Sequence, residues 1–243
     1  MRWLRRLNAT KMNPMGPDFS SAPWINFNLS GRELRLRCPP HEMDGPFVRY
    51  AEAINIYQDD IFEPWKTCNT GMSLRLLHAG WVFLDRPFGA GELGYVALSI
   101  RLNRRDPHYR KIDSMLYPEE MEAWILTYAD GLWGYLNRDL EKYPERKATP
   151  IIPERDFWHY PQTRDDIRKL TINGVHWFTY DVERGKDEKD RLWHTPISED
   201  HELVFDFEGE PLGRKYYSED HDLDGAIERT VKEFMNNVHI KLD

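Results

Sequence analysis

The residue types with the widest chemical reach in this chain are its nine histidines. His41, His78, His108, His159, His176, His194, His201, His221 and His239 are scattered, and none falls in an H-E-x-x-H or similar tight ligand spacing. His176 and His194 lie on segments that read as neighbouring strands, and His201 follows on the next. With Asp220 or Asp222 they are the one combination that could build a metal or acid–base site; the plain alternative is ordinary hydrogen bonding within a sheet. No G-x-S-x-G elbow is present. Cys38 precedes two prolines and Cys68 lies in a polar loop, so a Cys–His pair would depend wholly on what the fold brings near. Gly89-Ala90-Gly91-Glu92-Leu93-Gly94 matches G-x-G-x-x-G, but Tyr95–Ile100 after it reads as a strand. A dinucleotide site needs that motif to open a helix, whose N-terminus holds the pyrophosphate, so the stretch reads as a hairpin loop. Paired acids such as Asp59-Asp60 and Asp165-Asp166 carry no information in a chain with 41 acidic residues. No catalytic residue, metal ligand or cofactor is assigned.

Charge is more telling. Residues 1–110 hold 15 Lys and Arg against 11 Asp and Glu, whereas residues 111–243 hold 18 against 30, so the net charge of −8 resides in the second half. The acid is densest from Glu199 to Asp224. Such a half repels nucleic acid and favours basic partners, and the basic Arg2, Arg5 and Arg6 are too few to reverse this. Glu199, Asp200, Glu202, Glu208 and Glu210 are read as a charged docking surface. Trp24, Trp65, Trp81, Trp124, Trp133, Trp177 and Trp193 read as core, since aromatic residues dominate core energetics. The run Phe157-Trp158-His159-Tyr160 differs: four rings in a proline-bounded connection are hard to bury, which makes Trp158 and Tyr160 candidate anchors for a partner.

The elements that must position these residues follow from pattern. Nine Trp, twelve Tyr and eleven Phe exclude a disordered chain. No run approaches the roughly 18 apolar residues of a membrane helix. Residues 1–20 have no apolar stretch of the secretory type and read as a flexible tail. With only two cysteines, a reducing cytoplasm is the expected compartment. Residues 24–37 alternate as a hairpin around Ser30-Gly31. Residues 73–84 and 95–102 form a second hairpin, and residues 53–57 suit a short strand.

Residues 118–142 are the strongest helix: Pro118 suits its first position, and Met121, Trp124, Ile125, Tyr128, Leu132, Tyr135 and Leu136 keep one face. Gly131 and Gly134 inside it imply close packing against a sheet. The proline-rich stretch 144–163 reads as a crossing connection or a subdomain boundary. Leu170–Tyr180, Arg191–Ile197 and Leu203–Phe207 make a three-strand meander, with 185–190 as a solvated tip. A helix over 224–238, capped by Asp224, shows Ile227, Val231, Phe234, Met235 and Val238 on one side, and His239–Leu242 adds a short strand. Hairpins with segregated helices argue for a single α+β domain over residues 21–243: antiparallel sheets with two main amphipathic helices packed on them.

The arrangement Asn173-Gly174-Val175-His176-Trp177, then Leu192-Trp193-His194-Thr195-Pro196-Ile197, then His201-Glu202-Leu203-Val204-Phe205, then a final amphipathic helix, resembles the C-terminal half of small bacterial immunity proteins. These neutralise toxins delivered by contact-dependent or type VI secretion, and some resemble the PsbP-like α/β/α sandwich. The resemblance implies a non-enzymatic antitoxin that binds one cognate protein toxin; the lack of a secretory stretch then puts the target in the cytoplasm, unlike relatives that work in the periplasm, and no cofactor, nucleic acid or membrane is expected. The competing expectations are a metal-dependent or hydrolytic enzyme built on the histidines and acids, and an assembly subunit.

Overall fold

A computed structural model describes residues 6–65, 70–88, 91–147, 149–186, 188–212 and 220–242. Twelve strands form two sheets. The smaller holds β1 (Trp24–Leu29), β2 (Arg32–Arg37), β4 (Ala53–Ile54) and the C-terminal β12 (His239–Lys241), in the order β12-β2-β1-β4. The larger has eight strands: β3 (Val48–Arg49), β6 (Gly71–Leu84), β7 (Glu92–Arg105), β11 (His201–Pro211), β10 (Glu188–Pro196), β9 (Val175–Arg184) and β8 (Arg168–Ile172) in spatial order, with β5 (Glu63–Pro64) beside β6. Every pairing is antiparallel except β1 with β4. The architecture is α+β, as the pattern implied.

Strand alternation gives the large sheet two unlike faces. One buries Trp81, Phe83, Leu98, Ile100, Phe205, Phe207 and Trp177 against the small sheet and helix α4 (Leu223–Asn236). The stripe Ile227, Val231, Phe234, Met235 is buried there, as its period requires. Asp222 occupies the residue before the helix, and Asp224, expected as the cap, lies inside the first turn. A side chain at Gly94 would meet Leu223, so this glycine of the G-x-G-x-x-G stretch serves helix–sheet contact. Gly89 and Ala90 lie outside the described residues; Glu92 onward is strand, which removes the helix a dinucleotide would need.

The first twenty residues are not the loose tail expected. Residues 1–5 lie outside the described part, but Phe19 is fully buried, 5.8 Å from the Trp81 ring and 5.6 Å from Phe234, and Met15 pairs with Leu84. Apolar burial of Phe19 overrides the proline and glycine around it. Leu170–Tyr180 is likewise not one strand: Asn173 and Gly174 take φ of 52° and 78°, the conformation of a two-residue hairpin turn, and split it into β8 and β9.

The opposite face carries the helical layer. Helix α1 (Pro118–Ala129) continues through a π turn at Asp130–Gly134 into α2 (Tyr135–Lys142). Met121, Trp124, Ile125, Tyr128 and Trp133 are buried with Phe178, Tyr180, Val182, Leu192 and Val204. The wider π turn shifts the phase of the apolar stripe. Trp133 turns inward, and Tyr135 and Leu136, expected on the buried face, are 43% and 47% exposed. A side chain at Gly134 would meet Tyr160, Asp130 and Arg138, so this glycine admits the proline-rich connection rather than the sheet.

One buried carboxylate fixes α1 on that face. Glu202, expected on the charged surface, has no exposure, because three donors converge on it. Its Oε1 accepts from Trp124 Nε1 at 2.7 Å and from Asn103 Nδ2 at 2.9 Å, and its Oε2 lies 2.7 Å from His194 Nδ1. A carboxylate only accepts, so Nδ1 carries the proton and Nε2 can accept from the Tyr180 hydroxyl, 3.1 Å away. Glu202→Leu strands these donors in an apolar setting and is expected to destabilise by about 3–5 kcal/mol. Glu199→Gln, at an exposed site, should change stability by less than about 0.5 kcal/mol. Urea unfolding of both variants checks this; equal small losses would contradict the role given to Glu202.

Candidate partner-binding surface

The stretch 144–163 is tied to the body at defined points. Asn137 on α2 accepts from Trp158 N at 2.8 Å and donates to Trp158 O at 2.9 Å, and His159 pairs with Glu183 on β9. Between Lys147 and Trp158 the chain turns around the buried Asp156 in the short helix α3 (Pro153–Asp156). Asp156 accepts from Arg155 Nε at 2.9 Å, from the Ile152 amide at 2.8 Å and from Lys147 Nζ. These donors, Arg155 foremost, hold its carboxyl well below the usual range.

The result is a cleft of about 890 Å³ between α2, the connection and the β9–β10 tip. Leu136, Leu140, Ile152 and Trp158 supply its apolar wall, and the Arg184 guanidinium lies 4.5 Å over the Trp158 ring. Ile152 is 46% exposed, so with Leu136 an uncovered apolar patch adjoins a half-buried tryptophan. Tyr160 sits apart from this cleft. Its hydroxyl donates to Asp130 Oδ1 at 3.1 Å, beside Arg138, which binds the same oxygen at 2.7 Å and holds the Asp130 carboxyl low. It lines a second hollow of about 430 Å³ with Lys111, Thr127 and Gln162.

The expected acidic surface divides. Glu199 is exposed and Asp200 pairs with Arg105 at the β10–β11 turn, one end of the sheet. Glu208 and Glu210 stand at the other end of β11, on the helical face, where cross-strand register aligns them in rows. His78, Ser99, Asp206 and Leu192 form one row, Gly80, Ala97, Glu208 and Asp190 the next, and Val82, Tyr95 and Glu210 a third. Glu188 follows on β10 and also lines the Trp158 cleft, so cleft and carboxylates are continuous. The apolar layer on this face includes nothing from β6 or β7, where the same rows carry His78, Gly80 and Val82 on β6 and Ser99, Ala97 and Tyr95 on β7. Burial, then mutual repulsion, pushes the carboxyls of Asp190 and Glu208 above the usual range, Asp190 to about 8; burial also raises Asp206, against the pull of Arg101.

The histidines on which the competing enzyme reading relies do not converge. His201 is buried, with Nε2 2.8 Å from the Ile56 carbonyl; His194 is buried in the Glu202 network; His176 is exposed beside Thr171. Among the described residues no group of His, Cys, Asp and Glu has the geometry of a metal site. The row His78, Ser99, Asp206 contains the residue types of a hydrolase triad in the wrong order. The serine stands between the other two on adjacent strands roughly 4.8 Å apart, so the imidazole cannot bridge hydroxyl and carboxylate. Cys38 is buried and its thiol is pushed up to about 12, chiefly by desolvation, and Cys68 lies outside the described residues. Among the described residues no helix is long and apolar enough to cross a membrane.

Sequence reading missed Leu136, Arg184, Asp190 and Asp206. Asp206, Glu208 and Glu210 alternate along one strand, which marks a shared face; the partner strand contributing Asp190 had no such signal. No family model matches the chain, and no curated protein matches it.

A carboxyl whose folded pKa exceeds its unfolded value stabilises most below the unfolded value, and that stability is lost as pH rises through the folded one. For Asp190 the window runs from the ordinary carboxylate value near 4 to about 8. Asp190→Asn is therefore expected to gain stability relative to the parent chain steadily from pH 5 to 8.5. Urea midpoints across this range check the sign; a pH-independent difference would contradict it.

Proposed function

We propose that this chain is a binding protein of the immunity or antitoxin type, and that it holds a cognate protein toxin at the Trp158 cleft and the carboxylate rows beside it. The observation that carries this reading is the cleft itself. Leu136 and Ile152 are left exposed around a half-buried tryptophan whose backbone is fixed by Asn137. Aromatic anchors in a bordered pocket are the usual energetic centre of a protein interface, and uncovered apolar patches mark such sites. The acidic flank favours a basic partner and speeds association. The sequence layout of the C-terminal half supports the toxin as that partner. The enzyme reading has no comparable support, since His194 is held in the buried Glu202 network, His201 is buried against the Ile56 carbonyl and His176 is exposed beside Thr171.

The test is co-expression with the toxin encoded beside the gene. The parent chain should bind it and restore growth, and Trp158→Ala should weaken binding by at least ~30-fold, the scale of a hot spot of 2 kcal/mol, with the melting temperature nearly unchanged. Failure of the parent chain to bind, or full protection by Trp158→Ala, would overturn the reading.

A further inference from the structure

Among the described residues Arg191 is the only lysine or arginine that is buried, with 9% of its surface exposed, and it makes neither a hydrogen bond nor an ion pair. A buried guanidinium is costly unless it is paired and hydrogen-bonded. The acids around it are engaged elsewhere. Asp181 stands directly opposite across β9 and β10 but pairs with Arg168 at 3.3 Å. Glu183 is taken by Lys189 at 2.5 Å, Glu188 by Arg184, and Glu210 by the Tyr95 hydroxyl. Strand alternation puts Arg191 on the α4 face, away from the Glu202 network: it lies opposite Phe207, whose ring is 5.4 Å from Phe234 of α4.

This arginine lines a hollow of about 240 Å³ between the β9–β10 tip, the end of β11 and the first turn of α4. Gly209 makes the room. A side chain there would lie 3.1 Å from Ile227 and 3.6 Å from Arg191 Nη1. Leu223 and Ile227, both buried, supply an apolar wall. Leu223 and Asp224 also open α4, a helix of 14 residues whose N-terminus has no side-chain cap bond. The positive end of its dipole therefore lies at the same hollow. An unpaired, buried guanidinium and a helix start, each favourable to an anion, meet beside an apolar wall.

We propose that this hollow binds a short-chain monocarboxylate, with the carboxylate on the Arg191 guanidinium and the hydrocarbon stem against Leu223 and Ile227. A guanidinium fork matches a carboxylate through two parallel hydrogen bonds. The single charge follows from the rim. Glu183, Glu188, Glu210 and Asp224 line the hollow as well, while Arg191 and the exposed Lys186 are the cations on it that no acid of the described chain engages. A dianion such as phosphate would meet more repulsion there than one carboxylate does. The volume equals that of roughly eight waters, room for a carboxylate and a short stem. The site is separate from the Trp158 cleft and does not depend on the partner-binding reading.

The test is an NMR titration of the nitrogen-15-labelled chain at pH 7 with sodium butyrate, acetate and phosphate, against sodium chloride at matched ionic strength. The Arg191 Nε–H resonance, identified by its absence from Arg191→Lys, should shift saturably with butyrate. Butyrate should bind at least about threefold more tightly than acetate, the effect of burying one methylene. Phosphate and chloride should leave the resonance in place. Arg191→Lys keeps the charge but loses the fork, and should weaken butyrate binding at least ~10-fold at the Gly209 and Ile227 amides. Asp224 is the acid on the rim with no ion pair among the described residues, so Asp224→Asn supplies the control. This variant should still bind butyrate. An Arg191 resonance that moves on Asp224→Asn but not with butyrate would make Asp224 its counter-ion and overturn the proposal. So would a shift that chloride reproduces, tighter binding of phosphate, or equal affinity for acetate and butyrate.

Discussion

The arrangement of the helical face depends on the buried carboxylate of Glu202. It draws the indole of Trp124, the amide of Asn103 and the imidazole of His194 to one point with no access to solvent. A buried charge of this kind is strongly unfavourable unless its hydrogen bonds are complete, so α1 has one seat on the sheet. That seat lies over the ends of β7 and β11 near Asn103 and Glu202, and from there the aromatic layer runs across β10 and β9 through Tyr128, Trp133 and Tyr180. The opposite ends of β6, β7 and β11 lie outside that layer, and there β11 carries Glu208 and Glu210. The π turn then rotates the helix so that Leu136 faces outward beside Trp158. A dry contact and a wet, charged surface thus share one sheet face because one interaction sets where the helix begins.

The two halves of that face differ in how they satisfy charge. Under α1 the buried carboxylate of Glu202 is enclosed by three donors. Beyond it, carboxylates oppose each other and rise in pKa, a configuration that carries a cost in the free protein. The Trp158 cleft adds what the rows lack, apolar area that can be removed from water.

Much of the fold is legible in the sequence. The α+β class, the long helix from Pro118, the stripe Ile227–Met235 and the last strand all follow from local period, because each is decided by burial of one face. Asn173-Gly174 reads in the sequence as part of one strand; its strong hairpin preference outranks the strand-like residues on either side. What local pattern does not carry is the register between distant strands. Glu202 looks like its neighbours Glu199 and Asp200; only pairing with Asn103 on β7 and contact with Trp124 on α1 separate it from them. Phe19 is similar, since a single aromatic in a proline- and glycine-rich stretch has no period to betray its burial. The π turn has no composition signal strong enough to move Leu136 out of the apparent stripe. Trp158 and Tyr160 stand out in the sequence because four consecutive rings exceed what a connection can bury; Trp158 is half-buried at the cleft and Tyr160 is engaged with Asp130.

The most direct measurement of the central claim is hydrogen exchange of the chain with and without the toxin that the proposed reading names as its partner. If the helical face is the docking surface, slowed exchange should appear at residues 152–158, at 188–190 and at 206–210, with the Glu199–Asp200 turn unaffected. Protection confined to that turn, or to the opposite face around α4, would contradict it.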